Sequence, residues 1–139
     1  MHSVEIHAGR LVEITLRGPV SVDDVRDFRG LMASRVMSVP GRVVICGDLR
    51  SLEYVEDEVK VMLIGIMRAD NPRLVRSGHV VTAGTRSAKQ VIEAIRESQS
   101  DDRKCFTEVS SLAAYLGEVL EPFEKVRLHT FLDVVARAS

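Results

Sequence analysis

Acidic side chains cluster just after a continuous apolar run in the sequence. Asp48 ends a run that starts at Val43, and three consecutive acids follow at Glu56, Asp57 and Glu58. An aspartate at the end of a parallel strand can accept a phosphoryl group, but such a site needs companion acids that hold Mg²⁺. No pair of acids ends an earlier strand, so we expect Asp48 to accept backbone hydrogen bonds within its own turn. The three later acids suit the first turn of a helix, where the peptide dipoles create partial positive charge.

A second stretch combines hydroxyl and basic side chains at a predicted helix start. Thr85 and Ser87 flank Arg86, and Lys89 follows within one helical turn. The free N–H groups of a helix N-terminus attract anions, and two cations beside them would strengthen that attraction. The stretch therefore predicts an anion-binding site, and the alternative is an ordinary helix cap with solvated basic neighbours.

The sequence otherwise contains no recognisable catalytic, nucleotide-binding or metal-binding pattern. Neither a G-x-G-x-x-G turn nor a G-x-x-x-x-G-K-[ST] phosphate loop occurs. The four histidines are scattered and have no cysteine partner at the spacing of zinc ligands. We therefore predict no enzyme activity, no cofactor and no bound metal.

Composition excludes several further classes of protein. A net charge of −1 gives no basic footprint for nucleic acid. No apolar run approaches the roughly 18 residues that span a bilayer, and the first residues lack the pattern of a signal peptide. Cys46 and Cys105 lie in apolar runs, which favours reduced thiols in a core over a disulfide framework. We therefore expect a cytoplasmic protein that neither binds nucleic acid nor inserts stably into a membrane.

Apolar periodicity predicts the element order β-β-α-β-α-β-α-β-α, followed by one further helix. Alternating residues predict a hairpin around Gly9, and the run Val43–Cys46 predicts a strand buried on both faces. Ser21 and Asp24 predict a capping box at the first helix. A fourth strand is predicted over Gly78–Ala83 and a few residues before it. Strands separated by helices favour right-handed crossovers, so the fold class is α/β with a mostly parallel five-stranded sheet.

Two predicted helices carry more apolar residues than an exposed helix needs. The second helix contains the segment Val61–Ile64, and the last helix contains Phe123 and Phe131. We predict one α/β domain over residues 1–120 and a C-terminal helix in residues 121–139 that packs on the domain or on a second subunit. Association as a homodimer would cover both helices. The alternative is an apolar pocket under the second and last helices that carries a small molecule or lipid.

The element order, together with the segment GDLRSLEYVEDEV after the third predicted strand, resembles the STAS fold of anti-sigma-factor antagonists. The resemblance is to the SpoIIAA-like group in particular and spans about Val4–Leu120. In those antagonists the third strand ends in Asp-Leu, as at Asp48 and Leu49 here. A partner kinase phosphorylates a serine at the start of their next helix, and Asp57 stands at that position in this sequence.

The resemblance implies a non-catalytic regulatory module that recognises a protein partner, such as a regulatory kinase or a sigma-factor regulator. The absence of the serine implies a module that works without phosphorylation. Asp57 would then either imitate phosphoserine, with about half its charge, or only complement the helix dipole. The implied partner surface comprises Asp48, Leu49, Glu56, Asp57 and Glu58.

Overall fold

Five strands form a single sheet whose spatial order follows the sequence. The computed structural model describes residues 1–138, with the side chains of residues 1–133, and Ser139 of the predicted C-terminal segment lies outside the described residues. The first pair of strands is antiparallel and the later pairs are parallel. The strands are β1 (His2–Ala8), β2 (Leu11–Leu16), β3 (Val43–Asp48), β4 (Leu74–Val80) and β5 (Arg103–Phe106). The structure confirms the predicted mostly parallel sheet with a hairpin at its start.

Five α-helices connect or follow the strands. They are α1 (Val22–Ser38), α2 (Asp57–Asp70), α3 (Arg86–Glu97), α4 (Val109–Gly117) and α5 (Pro122–Ala138). The predicted capping box opens α1, because Ser21 Oγ accepts from Asp24 N at 3.1 Å and the Asp24 carboxylate accepts from Ser21 N at 2.9 Å. Pro72 cannot continue α2, and a single 3-10 turn at Asn71–Arg73 leads into β4.

The two faces of the sheet are covered by different helices. Parallel strands that advance in one direction through right-handed crossovers place all the connecting helices on one side. The three-helix face is accordingly covered by α1, α2 and α3, which meet side chains such as Val12, Ile14 and Ile45. The two-helix face is covered by α4 and α5, which meet Leu11 and Val44 among others.

β3 lies at the centre of the sheet, and all its residues are buried, as its apolar run predicted. β4 ends at Val80, earlier than the predicted end at Ala83. The register explains this difference, because Val80 pairs with Asp48, the last residue of β3. Residues after Val80 have no β3 neighbour with which to extend the ladder.

The final helix, α5, packs on the two-helix face against β1, β2 and β3. Phe131 and Leu132 are buried there, so the chain itself covers the inner apolar stripe of this helix, whereas Phe123 remains exposed. Glu124 Oε2 accepts a hydrogen bond of 2.8 Å from Arg10 N in the β1–β2 turn. The turn and α5 are therefore tied together by a buried carboxylate as well as by apolar contact.

Candidate functional site

The turn after β3 buries two of the residues predicted to contact a partner. Asp48 is 3% exposed, and its Oδ1 accepts from Arg50 N at 3.2 Å and from Arg50 Nε at 2.9 Å. This geometry matches the expectation that Asp48 stabilises its own turn. Leu49 belongs to the apolar core of the three-helix face. The predicted partner surface is therefore corrected, because neither buried side chain is accessible to another protein.

The three acids that follow are exposed at the start of α2. Glu56 is the N-cap residue and makes no side-chain capping bond, while Asp57 and Glu58 lie in the first turn. All three are free of side-chain hydrogen bonds within the described residues. Val61 lies one turn beyond Asp57 on the same side of the helix and is 67% exposed. The helix start thus presents carboxylates beside an exposed apolar side chain.

The predicted anion site at the start of α3 uses its hydroxyl groups internally. Thr85 is the N-cap, and its Oγ1 accepts from Ala88 N at 3.1 Å and donates to Thr82 O at 2.9 Å. Ser87 is buried, and its Oγ lies 3.3 Å from Thr85 Oγ1. These contacts match the ordinary helix cap that was the alternative interpretation of this stretch.

The basic residues of that stretch are exposed. Arg86 faces residues 54–58, which precede and begin α2 and which we call the acid turn. Its guanidinium carbon lies 4.1 Å from the centre of the Tyr54 ring, a cation–π distance, while Lys89 projects from the first turn of α3. Tyr54 was missed by the sequence analysis. The available signal was a lone aromatic residue between Asp48 and Asp57.

Gln90 holds the acid turn against α3. Its Nε2 donates to Val55 O at 2.7 Å, and its Oε1 accepts from Val55 N at 3.0 Å. One side-chain amide thus satisfies both backbone groups of Val55, as a neighbouring strand would. Lys60 adds an ion pair with Glu93 at 2.6 Å. No spacing pattern marks Gln90, because its role depends on how α2 and α3 pack.

The two stretches therefore meet at the carboxyl end of the parallel strands. We call their exposed part the carboxyl-edge surface, which comprises Tyr54, Glu56, Asp57, Glu58, Val61 and Arg86. Ligands of α/β sheets commonly bind outside this end of the strands. The surface is predominantly acidic and carries one aromatic and one aliphatic side chain, a composition suited to protein contact.

A second candidate site is a cavity of about 80 Å³ on the three-helix face. Most of its lining is apolar, and Asp70, His79 and Arg103 are its polar members. α5 lies on the opposite face, so the predicted pocket under the second and last helices is wrong in one respect. The cavity lies under α2 together with α1 and α3, and no side chain of α5 up to Asp133 is among its lining residues.

His79 is the most perturbed group in this cavity. Burial, assisted by the nearby Arg103 charge, lowers the pKa of His79 to about 3, so the ring is neutral at physiological pH. Its Nε2 lies 2.8 Å from Ser77 Oγ, whereas its Nδ1 has no hydrogen-bond partner among the described residues. Gly47 makes room for the ring, since a Cβ there would lie 2.5 Å from Nδ1.

A third polar cluster lies across the hairpin. Ligand atoms of Glu5, His7 and Glu13 all lie within 4.8 Å of one another, a grouping that the sequence analysis missed because it spans two strands. Both oxygens of Glu13 are bound by Arg127, with Nε and Nη2 each at 2.7 Å. The buried Glu13 carboxylate is therefore already paired with an arginine, and Glu5 Oε2 lies 2.7 Å from His7 Nε2.

Comparison with known proteins supports the fold assigned from the sequence. No protein-family model and no curated protein matches this sequence. The structure is similar to that of the anti-sigma factor antagonist SpoIIAA in its unphosphorylated form, with a TM-score of 0.61 and 15% identity over 87% of this chain and 100% of that chain. The phosphorylated form of the Bacillus cell fate determinant SpoIIAA gives a TM-score of 0.52 and 14% identity over 82% of this chain and 98% of that chain.

This protein therefore has a SpoIIAA-like STAS fold, as the sequence resemblance implied. Over residues 1–138, no helix is both long enough and apolar enough to span a bilayer.

Proposed function

We propose that this protein is a non-catalytic regulatory module that binds a protein partner through the carboxyl-edge surface. The observation that carries this proposal is the exposed acid turn, held in a defined conformation by Gln90 on a SpoIIAA-like fold. SpoIIAA itself is described as an anti-sigma factor antagonist. A regulatory kinase or a sigma-factor regulator is the class of partner that this likeness favours.

The partner surface that fits is basic, with an apolar patch. The exposed acids at the start of α2 repel an acidic protein and steer a basic one, and Tyr54 and Val61 supply apolar contact area. Arg86 would be the single opposite charge, and its stacking on Tyr54 limits its reach. The interaction would be salt-dependent, because its charges are exposed.

The module would act without phosphorylation. From Tyr54 to Lys60 the chain has no serine or threonine, and Asp57 holds a permanent negative charge in the first turn of α2. A carboxylate carries about half the charge of phosphoserine and fewer acceptor oxygens. The charge of the surface would therefore stay constant. The extent of partner binding would depend on protein concentration and not on a kinase.

Charge reversal on the carboxyl-edge surface tests the proposal. In the Asp57→Lys/Glu58→Lys double variant, we expect partner capture from source cells to be lost while the circular dichroism spectrum and melting temperature are kept. The matched control is Asp101→Lys/Asp133→Lys, which reverses two exposed acids elsewhere. Captured proteins are identified by mass spectrometry, and an identical set from all three proteins would contradict the proposal.

Homodimerisation remains a prediction. The burial of Phe131 and Leu132 within the chain removes one reason for it, while Val61 and Val126 stay exposed. Light scattering of the purified protein would give the mass directly, and the value of a monomer at all concentrations would contradict this prediction.

A further inference from the structure

The three-helix face contains more empty space than a close-packed interior normally leaves. Its cavity of about 80 Å³ exceeds several-fold the roughly 10–15 Å³ that one water requires. Its walls are mainly aliphatic and aromatic, and they include Ile14, Phe28, Ile45, Leu63 and Val91. A space with these walls favours an apolar occupant over a cluster of waters.

A surface groove between α1 and α2 lies next to the cavity and shares part of its lining. Met32, Ile66 and Asp70 line both the cavity and the groove. The other groove residues on α2 are Met62 and two small residues, Gly65 and Ala69. Because two small residues and two flexible methionines, Met32 and Met62, line this groove, it is the candidate route from solvent to the cavity.

Two residues that line the cavity each have a buried polar atom without a partner within the described residues. These atoms are His79 Nδ1 and Asp70 Oδ2. If the Ser77 hydroxyl donates to His79 Nε2, the neutral ring carries its proton on Nδ1 and has a free donor; the other tautomer has a free acceptor. Buried polar groups in folded proteins are normally paired, so an unpaired one on a cavity wall points to a ligand group.

The charged residues of the cavity oppose one another. Arg103 is buried and donates to Asn71 Oδ1 at 3.0 Å and to Met67 O at 3.1 Å, and it lies near Asp70. Burial raises the pKa of Asp70, and the charge of Arg103 opposes that rise. Opposite charges on one wall leave no net field that would select an ion, so an uncharged molecule fits the cavity best.

We propose that this cavity binds a small uncharged amphiphile, an aliphatic alcohol, whose hydroxyl group pairs with His79 Nδ1 and whose chain lies among the apolar side chains. The ligand gains access through the groove between α1 and α2. This site is separate from the carboxyl-edge surface. The proposal of an alcohol site can therefore be tested independently of the proposed regulatory role.

The test is a titration of the full chain with 1-alkanols from ethanol to octanol, followed by chemical-shift changes in NMR spectra and by melting temperature. We expect saturable binding that strengthens with chain length until the cavity is filled. Shifts should concentrate on residues of α2, α3 and β4. A cavity that holds water only would give no saturable binding at any length, and that result would overturn the proposal.

Two variants test the location of the site. Ala94 lines the cavity, so Ala94→Leu should fill it and weaken binding at least about tenfold, whereas Ala114→Leu on the exposed side of α4 should leave binding unchanged. If Ala94→Leu fails to fold, Gly65→Leu in the groove replaces it, with Gly30→Leu on the solvent side of α1 as its control. Unchanged affinity in the cavity or groove variant would overturn the proposal.

The role of His79 is tested by comparing 1-pentanol with 1-chloropentane, which keeps the chain but lacks the hydroxyl group. In the unmodified protein the alcohol should bind about three- to tenfold more tightly, as one buried hydrogen bond provides. His79→Phe keeps a planar aromatic ring but removes both nitrogens, so it should abolish this preference while chloropentane still binds. A preference that survives in His79→Phe would overturn the assignment of Nδ1.

Discussion

The two faces of the sheet differ in whether their buried polar groups have hydrogen-bond partners. On the two-helix face, Glu13 is 2% exposed and both its oxygens are bound by Arg127, while both oxygens of Glu124 accept backbone N–H groups at 2.8 Å. On the three-helix face, His79 Nδ1 and Asp70 Oδ2 have no partner among the described residues and border a cavity. A polar group that supports the fold is paired within the chain, whereas an unpaired one is available to a ligand.

The two faces also differ in the helices that cover them. α5 closes the two-helix face with buried Leu128 and Leu132, and its ion pair fixes its position on the sheet. α2 lies over the cavity on the other face and begins at the exposed acid turn. The same helix thus borders both candidate sites.

The first prediction concerns the buried ion pair of the two-helix face. Arg127→Met leaves the Glu13 carboxylate buried without a partner, and we expect it to lower the free energy of unfolding by about 3 kcal/mol. Adding Glu13→Leu should restore most of the loss. The control is Arg26→Met, which breaks an exposed pair with Asp23 and should cost less than about 1 kcal/mol. Urea denaturation measures the unmodified protein and the three variants, and equal losses for the two arginine variants would contradict the importance of burying the Glu13–Arg127 pair.

The second prediction compares two glycines in adjacent strands. A Cβ on Gly78 would lie 2.1 Å from Leu112 Cδ1 on the two-helix face, whereas a Cβ on Gly47 would meet the His79 ring beside the cavity. We expect Gly78→Ala to cost about 3 kcal/mol and Gly47→Ala about 1 kcal/mol, because the ring can move into the empty space. Thermal or urea unfolding gives both values. A larger loss of stability for Gly47→Ala would contradict this prediction, because it would show that the three-helix face is the more closely packed one.

The third prediction is a pH dependence from His79. The unfolded chain binds a proton at this histidine near pH 6.5, whereas burial holds its pKa at about 3 in the folded state. Between these values the unfolded state binds more protons, so stability falls as the pH is lowered, by up to about 1.4 kcal/mol per unit. His79→Phe should remove this part of the slope between pH 6.5 and 4. Parallel stability curves for the two proteins would contradict the burial of a neutral ring.

Local patterns in the sequence were sufficient for most of the fold. The apolar run in β3 predicted a central buried strand, and Ser21 with Asp24 predicted the start of α1, because both signals depend on neighbouring residues alone. The end of β4 was misplaced, since it depends on the length of β3 in the next strand. The start of α2 at the three acids was also predicted correctly, because carboxylates stabilise the positive end of the helix dipole in any tertiary fold.

The candidate sites depend on contacts that no local pattern contains. Asp48 and Leu49 were assigned to a partner surface from the resemblance, yet the packing of the turn buries both. Gln90 and Tyr54 acquire their roles only when α3 is placed beside the acid turn. The cavity arises from how three helices cross the sheet, and its location follows from the topology and not from the composition of α2.

Site-specific photo-crosslinking tests the central claim most directly. A photoreactive phenylalanine analogue would replace Tyr54 on the carboxyl-edge surface or, as a control, the exposed His129 on α5, in cells that produce the protein natively. We predict a covalent adduct with one regulatory protein from position 54 and none from position 129. An adduct that forms equally from both positions, or no adduct at position 54, would contradict the proposed partner surface.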